Sequence, residues 1–320
     1  MYIIFIKIFA KVMLMINFLK RILLNRNAIL VFAVFIGLIA GDTTSFLKGY
    51  TFLALAVTMT FSMTRISLMY LKNPLNFTKP MLMGALLNYG LFTLVLLPLA
   101  WWLMPNRNLF YGFVVIAAAP PGVAIIPFSY ILKGRVEYAI IGVLGAFLAS
   151  IVIAPLLVNL FASSQGVKPY DLLKMMVQLV VIPMVISRLL LYKPLFKYIE
   201  PIRGKVVDWG FAILIIVAVG VNRQVFFANP ILLLKISFVL FVAIFGLGLG
   251  LDAIAKLFKV DRSLRITQSM LVAIKSSGFS VFTALALFGK EAAIPSAVMA
   301  VMVLLYLIFL SLKLNKSTVK

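Results

Sequence analysis

Two stretches of the chain share one pattern: AAAPPGVAIIPFSYILKGRVEYAIIG at residues 117–142 and LVAIKSSGFSVFTALALFGKEAAIP at residues 271–295. Each stretch is apolar, breaks at a glycine that follows prolines or small residues, and then stays apolar for about three helical turns. Interrupted helices at matching positions in two halves of a chain indicate the midplane site of a membrane transporter. The alternative is that Pro and Gly merely kink two ordinary membrane spans.

The composition is that of a polytopic membrane protein. Of 320 residues, 64% are hydrophobic and 12% are charged, whereas soluble domains are about half apolar and about a quarter charged. Because a helix needs about 20 apolar residues to cross a bilayer, the chain can form about ten spans. The sequence contains no Cys and no His, which excludes thiol catalysis, disulfides and His-ligated zinc or haem. We therefore expect no cofactor and no metal ion.

The apolar stretches predict an all-α polytopic membrane protein with ten transmembrane helices. They lie at residues 29–47, 50–71, 81–103, 109–132, 137–162, 171–192, 207–222, 231–255, 264–288 and 293–312. With both termini in the cytoplasm, most Lys and Arg residues fall on the cytoplasmic side, as the positive-inside rule requires. The net charge of +22 is therefore assigned to loops at the membrane surface rather than to nucleic-acid binding. We expect a multi-pass protein of the bacterial inner membrane.

The broken helices are the fourth and the ninth, and an offset of five helices inverts one half of the chain relative to the other in the membrane. We predict a first five-helix repeat at residues 28–163 and a second, inverted repeat at residues 164–313. Residues 1–27 form an N-terminal amphipathic segment, and residues 314–320 form a cytoplasmic tail. For residues 2–19 the prediction is an amphipathic helix on the inner leaflet, and the alternative is an eleventh span.

Lys275 lies in the middle of the predicted ninth span, where a charge costs at least about 2.5–3.5 kcal/mol. All 8 acidic residues fall in predicted loops or near predicted helix ends, so the sequence offers the lysine no fixed intramembrane counter-ion. Lys275 could carry a proton, or a bound anion could supply the missing charge. It could instead cap the carbonyls of the broken fourth helix, or extend to the membrane interface.

The predicted substrate- or ion-binding residues surround the two breaks and include one residue of the third span. They are Asn88, Pro120, Pro121, Gly122, Lys275, Ser276, Ser277 and Gly278. Unpaired backbone groups and helix-end dipoles at a helix break can hold an ion or an anionic group. For Asn88 an interhelical hydrogen bond is an equally good explanation. Ser276 and Ser277 adjoin Lys275, but neighbouring residues on a helix do not face each other, so a Ser–Lys enzyme is not expected.

At these breaks the sequence resembles the bile acid:sodium symporter (BASS) family, from about residue 20 to residue 313. The resemblance is strongest at APPGVAIIPFSYILKGRVEYAIIG and IKSSGFSVFTALALFGKEAAIPSA. It implies two inverted five-helix repeats that build a panel of four helices and a core of six, with discontinuous helices four and nine crossing in the core. It also implies transport of an organic anion bound between core and panel, with two sodium ions beside the crossing.

The chain departs from the family pattern at the implied sodium sites. Where relatives carry polar or acidic side chains, this chain carries Ile125, Ile126, Ala139, Val143 and Leu271. A family glutamine reads Lys275, which would place an ammonium roughly where a cation binds. Because sodium requires several oxygen ligands, we expect sodium coupling to be lost.

These observations predict a secondary transporter of a small organic anion, a bile-acid-like carboxylate or sulfonate, that works by alternating access without sodium. Lys275 would replace the sodium charge, either permanently or by cycling a proton. The alternatives are a conventional sodium-coupled organic anion symporter and a non-transporting membrane sensor. The expected partners are the anion, the lipid bilayer and, in the proton-linked case, protons, with the protein a monomer or a homodimer.

Overall fold

The computed structural model describes residues 26–66, 74–122, 124–162 and 169–316. Within these ranges the regular structure is helical, and one isolated antiparallel bridge pairs Pro121 with Lys275. The predicted amphipathic helix at residues 2–19 lies outside the described residues.

Sixteen α-helices make up most of the described part of the chain. In the first half they are α1 (Arg26–Ala40), α2 (Thr51–Met63), α3 (Pro74–Ala85), α4 (Phe92–Leu103), α5 (Arg107–Ala118), α6 (Ile125–Ile131) and α7 (Val136–Ala162). In the second half they are α8 (Pro169–Met176), α9 (Ile182–Leu190), α10 (Lys193–Gly220), α11 (Arg223–Ala228), α12 (Pro230–Phe241), α13 (Leu247–Leu257), α14 (Arg262–Ala273), α15 (Ser277–Phe288) and α16 (Ile294–Lys316). Segments of 3₁₀-helix lie at Gly41–Tyr50 and Glu291–Ala293, and π-helix at Leu86–Leu91, Val177–Val181 and Val242–Gly246.

Several of these helices join into stretches that are long and apolar enough to cross a membrane. The described ranges contain six such stretches: Thr43–Met63, Phe77–Leu103, Val136–Ala162, Leu173–Leu190, Pro230–Leu257 and Glu291–Lys313. Helices α5 and α15 are apolar but shorter, because the chain breaks after α5 and before α15. The protein is therefore an all-α, multi-pass membrane protein.

Several predicted boundaries were wrong. The second predicted span, residues 50–71, ends as a helix at Met63. The first predicted span, residues 29–47, ends at Ala40 because Gly41 has φ +54°, the left-handed conformation that commonly ends helices. The seventh predicted span, residues 207–222, is only the second half of α10. The first half of α10 is rich in charged residues, so hydropathy did not indicate a helix there. Asp208, predicted near a helix end, consequently lies inside α10.

Helices α1, α2, α9 and α10 form one packed group. A Cβ atom on Gly210 of α10 would lie 1.9 Å from Thr58 Oγ1 of α2, so only glycine permits this approach. Arg188 of α9 donates hydrogen bonds to the carbonyls of Ile66, at 2.6 Å, and Met63. The guanidinium thereby satisfies carbonyl groups at and just beyond the end of α2, which lack partners within the helix.

Helix α7 is held between α3 and α14 by similarly close contacts. A Cβ atom on Gly84 would lie 2.3 Å from the carbonyl oxygen of Gly142, and one on Gly145 would lie 2.5 Å from Met81 Cα. A Cβ atom on Gly142 would lie 2.9 Å from Leu271 Cδ1 of α14. Membrane helices typically approach this closely through small residues, and the packing fixes α14 beside the first half of the chain.

Candidate functional site

The two breaks predicted from the sequence meet in the structure and pair through their backbones. Helix α5 ends before Pro120 and Pro121, which have no backbone N–H with which to continue a helix. Gly122 donates its N–H to the carbonyl of Ile274 at 3.0 Å, and Ser276 donates its N–H to the carbonyl of Pro120 at 2.8 Å. Predicted site residues more than 150 positions apart are thus brought together.

Two glycines allow the breaks to approach their neighbours. A Cβ atom on Gly122 would lie 2.9 Å from Ile274 Cγ2 and 3.1 Å from the carbonyl oxygen of Lys275. A Cβ atom on Gly278, in the first turn of α15, would lie 2.6 Å from Phe211 Cδ1 of α10. Helix α10 therefore lies directly against the second break.

The ammonium of Lys275 is buried and surrounded by oxygen atoms. The residue is 1% exposed, and its Nζ donates to Asn88 Oδ1 at 2.9 Å, the Ala117 carbonyl at 2.8 Å and the Ala119 carbonyl at 3.0 Å. These three acceptors are uncharged, and they use the three N–H donors of an ammonium. The two carbonyls belong to the C-terminal end of α5, where the helix dipole favours a positive charge. Lys275 therefore caps the broken fourth helix, one of the alternatives that the sequence left open.

Aromatic rings complete the surroundings of the ammonium. Nζ lies 4.3 Å from the centre of the Tyr89 ring and 5.1 Å from the centre of the Phe92 ring. A cation at these distances is attracted by the electron-rich faces of the rings. Both rings lie near Asn88 in the chain, so one stretch of the third predicted span supplies an amide and two aromatic groups.

Asn88 connects the third predicted span to the ninth. It lies in the π-helical segment Leu86–Leu91, is fully buried, and donates from Nδ2 to the carbonyl of Leu271 at 3.2 Å. Its Oδ1 meanwhile accepts from Lys275. Short π-helical segments inside α-helices are frequent at functional sites, and this one brings Asn88 to the ammonium. The interhelical hydrogen bond that the sequence analysis offered as one explanation for Asn88 is thus present, and Asn88 also accepts a hydrogen bond from the ammonium.

The positions that depart from the family pattern are hydrocarbon and buried. They are Ile125, Ile126, Ala139, Val143 and Leu271. Their side chains supply no oxygen with which to coordinate a cation. Among the described residues there is also no group of three or more Asp, Glu, His or Cys that could hold a metal ion.

A small cavity lies beside the breaks, between them and α1, α10 and α16. Gly122, Lys275, Ser276 and Ser277 line one side, and its volume is about 40 Å³. That volume admits a few water molecules, whereas pockets for organic ligands usually measure about 300–1,000 Å³. An apolar crevice of about 230 Å³ adjoins this cavity. Four residues line both spaces: Leu30, Ile215, Ala300 and Leu304.

Two interrupted helices that meet at a buried polar site in an all-α membrane protein are an arrangement typical of secondary transporters. A sequence model described as the Sodium Bile acid symporter family matches residues 52–229, more than half of the chain. The chain therefore belongs to this family, as its resemblance at the breaks predicted. The match includes Asn88 and the first break, whereas Lys275 lies beyond it.

One relative is a probable sodium/metabolite cotransporter of the chloroplast from Arabidopsis thaliana. It is 26% identical to this chain over 264 residues, which make up 79% of this chain and 63% of the relative. The chain thus spans about three fifths of the length of this relative.

Sequence reasoning identified Lys275 and Asn88 but missed most of their partners. The carbonyls of Ala117 and Ala119 carry no side-chain signal, and their role depends on where the second break packs. Tyr89 and Phe92 were readable only as membrane-span aromatics. Phe92 lies four residues after Asn88, on the same face of a helix, and this spacing was the available signal.

Proposed function

We propose that this chain carries a small organic anion, a bile-acid-like carboxylate or sulfonate, across the membrane without sodium. The observation that carries the proposal is the Lys275 ammonium, held by three oxygens at 2.8–3.0 Å. The ammonium supplies the positive charge that bound sodium would supply in a sodium-coupled carrier. The Arabidopsis relative is named as a probable sodium/metabolite cotransporter, which supports a small metabolite as the cargo.

The hydrogen bonds favour a permanent cation over a lysine that cycles a proton. An ammonium has three N–H donors, and Lys275 has one oxygen acceptor for each of them. A neutral amine has only two N–H donors, so loss of the proton would leave one buried oxygen without its partner. We therefore assign Lys275 a charge that stays in place while the substrate comes and goes.

The cavity beside the breaks is the proposed binding place for the acidic group of the substrate. Ser276 and Ser277 line it at the start of α15, so the N-terminal end of a 12-residue helix lies at the cavity. The first N–H groups of a helix have no partner within the helix, and the helix dipole there attracts anions. The charge of Lys275 adds to this attraction.

Transport requires the cavity to open, because about 40 Å³ does not accommodate an organic anion. The proposed motion separates the packed group of α1, α2, α9 and α10 from the crossing breaks, with this group as the four-helix panel and the other helices as the core. In this proposal ten spans form two inverted repeats, residues 28–163 and 164–313. Both termini face the cytoplasm of a bacterium.

Thermal unfolding of detergent-purified protein tests the proposal. The ligands are taurocholate, cholate and short monocarboxylates, each in sodium-free potassium buffer and in sodium buffer. We expect at least one anion to raise the melting temperature equally in both buffers. Lys275→Gln should abolish the increase, whereas the control Lys235→Gln, on α12 away from the breaks, should retain it.

Two results would support the alternatives instead. Stabilisation that requires sodium would support a conventional sodium-coupled symporter. Stabilisation without sodium, combined with an absence of flux in reconstituted vesicles, would support a membrane sensor.

A further inference from the structure

A second cavity, of about 270 Å³, lies between α13, α14 and α16, separate from the crossing breaks. Four basic residues line it: Lys256, Arg262, Arg265 and Lys313. Asp252 lines it as well, so positive charge predominates. We call this cavity the basic pocket.

Buried donors on residues that line the basic pocket have no hydrogen-bond partner among the described residues. Ser269 is 3% exposed and lines the pocket, and its Oγ has no hydrogen-bond partner among the described residues. The Arg265 side chain is 13% exposed, and its Nε and Nη1 likewise lack hydrogen-bond partners within the described structure. Buried polar groups are normally satisfied, so donors that converge on one cavity indicate a site for an oxyanion.

We infer that the basic pocket binds a phosphate group. Arg262, Arg265 and Ser269 are spaced by three and four residues along α14, which puts them on one face of that helix. Lys256 and Lys313 approach from α13 and α16. A guanidinium binds two phosphate oxygens at once, and the remaining oxygens are available to the hydroxyl and the lysines. A phosphate has more acceptor oxygens than the two of a carboxylate, which suits donors that come from three helices.

Asp252 competes with this ligand inside the basic pocket. Its carboxylate lies 3.8 Å from Arg265 Nη1 and 3.4 Å from Lys313 Nζ. Both distances exceed those of well-formed charge-assisted hydrogen bonds, which are about 2.7–2.9 Å. A bound phosphate would take over these two basic groups, so removal of the Asp252 charge strengthens phosphate binding.

The phosphate group has two possible sources, an anionic phospholipid headgroup and a soluble phosphate ester. Basic pockets between membrane helices bind anionic headgroups in other proteins. Leu257 and Phe258, next to Lys256, are 81% and 78% exposed, and so offer an apolar surface for acyl chains beside the basic pocket. The inference concerns the phosphate group itself and is independent of the substrate that the transporter carries.

Native mass spectrometry of the full chain in detergent tests the inference. The ligands are phosphatidylglycerol, phosphatidylcholine, whose choline cation the basic pocket repels, and soluble glycerol 3-phosphate. Arg265→Gln should weaken phosphate binding at least about tenfold, since a hydrogen bond to a charged group is worth about 1.5–3 kcal/mol. Asp252→Asn should strengthen it, a gain that misfolding cannot produce. The control Lys197→Gln, on the exposed face of α10, should leave it unchanged.

The comparison of the three ligands distinguishes a lipid headgroup from a soluble phosphate ester as the source of the phosphate group. Preference for phosphatidylglycerol over phosphatidylcholine, with these variant effects, identifies a lipid headgroup. The same variant effects on glycerol 3-phosphate, without a lipid preference, identify a soluble phosphate. Equal binding of both lipids and no binding of glycerol 3-phosphate would overturn the inference. So would unchanged binding in both Arg265→Gln and Asp252→Asn.

Discussion

Replacing Asn88 by Leu removes one of the three oxygens around the Lys275 ammonium and keeps a side chain of similar size. The variant loses the 2.9 Å hydrogen bond from Lys275 Nζ and the 3.2 Å hydrogen bond to the Leu271 carbonyl. A hydrogen bond to a charged group contributes about 1.5–3 kcal/mol and a neutral one about 0.5–1.5 kcal/mol. We therefore expect the free energy of unfolding to fall by about 2–4 kcal/mol.

Asn222→Leu is the matched control for this variant. Asn222 is also buried, but its side chain donates one neutral hydrogen bond within the described structure, to the Ala218 carbonyl at 2.9 Å. Its replacement should cost about 0.5–1.5 kcal/mol. Asn88→Asp is the complementary variant, because it retains the acceptor and gives the ammonium a fixed counter-ion. Its fold should be retained, and stabilisation by organic anions should weaken, because the new carboxylate competes for the charge of Lys275.

The assay is reversible unfolding in mixed micelles of mild and denaturing detergent, followed by circular dichroism. An Asn88→Leu variant that is no less stable than Asn222→Leu would show that the oxygens around Lys275 do not hold the ammonium. An Asn88→Asp variant with undiminished anion stabilisation would show that the charge of Lys275 does not act on the substrate.

Three further predictions concern other parts of the fold. Gly122→Ala should lower the melting temperature, since the new Cβ would lie 2.9 Å from a neighbouring side chain, whereas Gly250→Ala, with open space around it, should not. Arg188→Leu should destabilise the protein by about 1–3 kcal/mol in the same micelle assay, because it removes the hydrogen bonds from the guanidinium to the Ile66 and Met63 carbonyls. The pKa of Asp261 is lowered by hydrogen bonds from the Ser263 side chain and from backbone N–H groups that it caps at the start of α14. The stabilisation that Asp261 contributes should therefore be complete above about pH 4 and be lost as pH falls through the lowered pKa. Thermal melts between about pH 2 and pH 5 should show this loss in the wild type and not in Asp261→Ala.

The broken helices were predictable because their signals are local. Pro120 and Pro121 remove two backbone donors in a row, and a lysine in an apolar span is unusual enough to single out Lys275. These features indicated a transporter site before any packing was known. They did not indicate which oxygens accept hydrogen bonds from the ammonium. Asn88 lies 187 positions from Lys275 in the sequence, and the carbonyls of α5 have no side-chain signature.

Other misses have equally physical causes. The first half of α10 is helical although its charges lower its hydropathy, so a search for apolar stretches does not find it. The π-helical turn that brings Asn88 to the ammonium has no recognisable sequence pattern. The sequence showed the basic pocket only as scattered lysines and arginines in predicted loops and helix ends, because its residues come from three helices that the fold brings together.

Anion uptake into reconstituted vesicles is the measurement that best separates a resident ammonium from bound sodium. The labelled anion is the one that most stabilises the purified protein, and the external cation is sodium in one sample and potassium in the other. Wild-type protein should take up the anion at the same rate in both, and Lys275→Gln should lose the uptake in potassium. Uptake by the wild type that occurs in sodium and disappears in potassium would show that Lys275 does not replace the sodium charge.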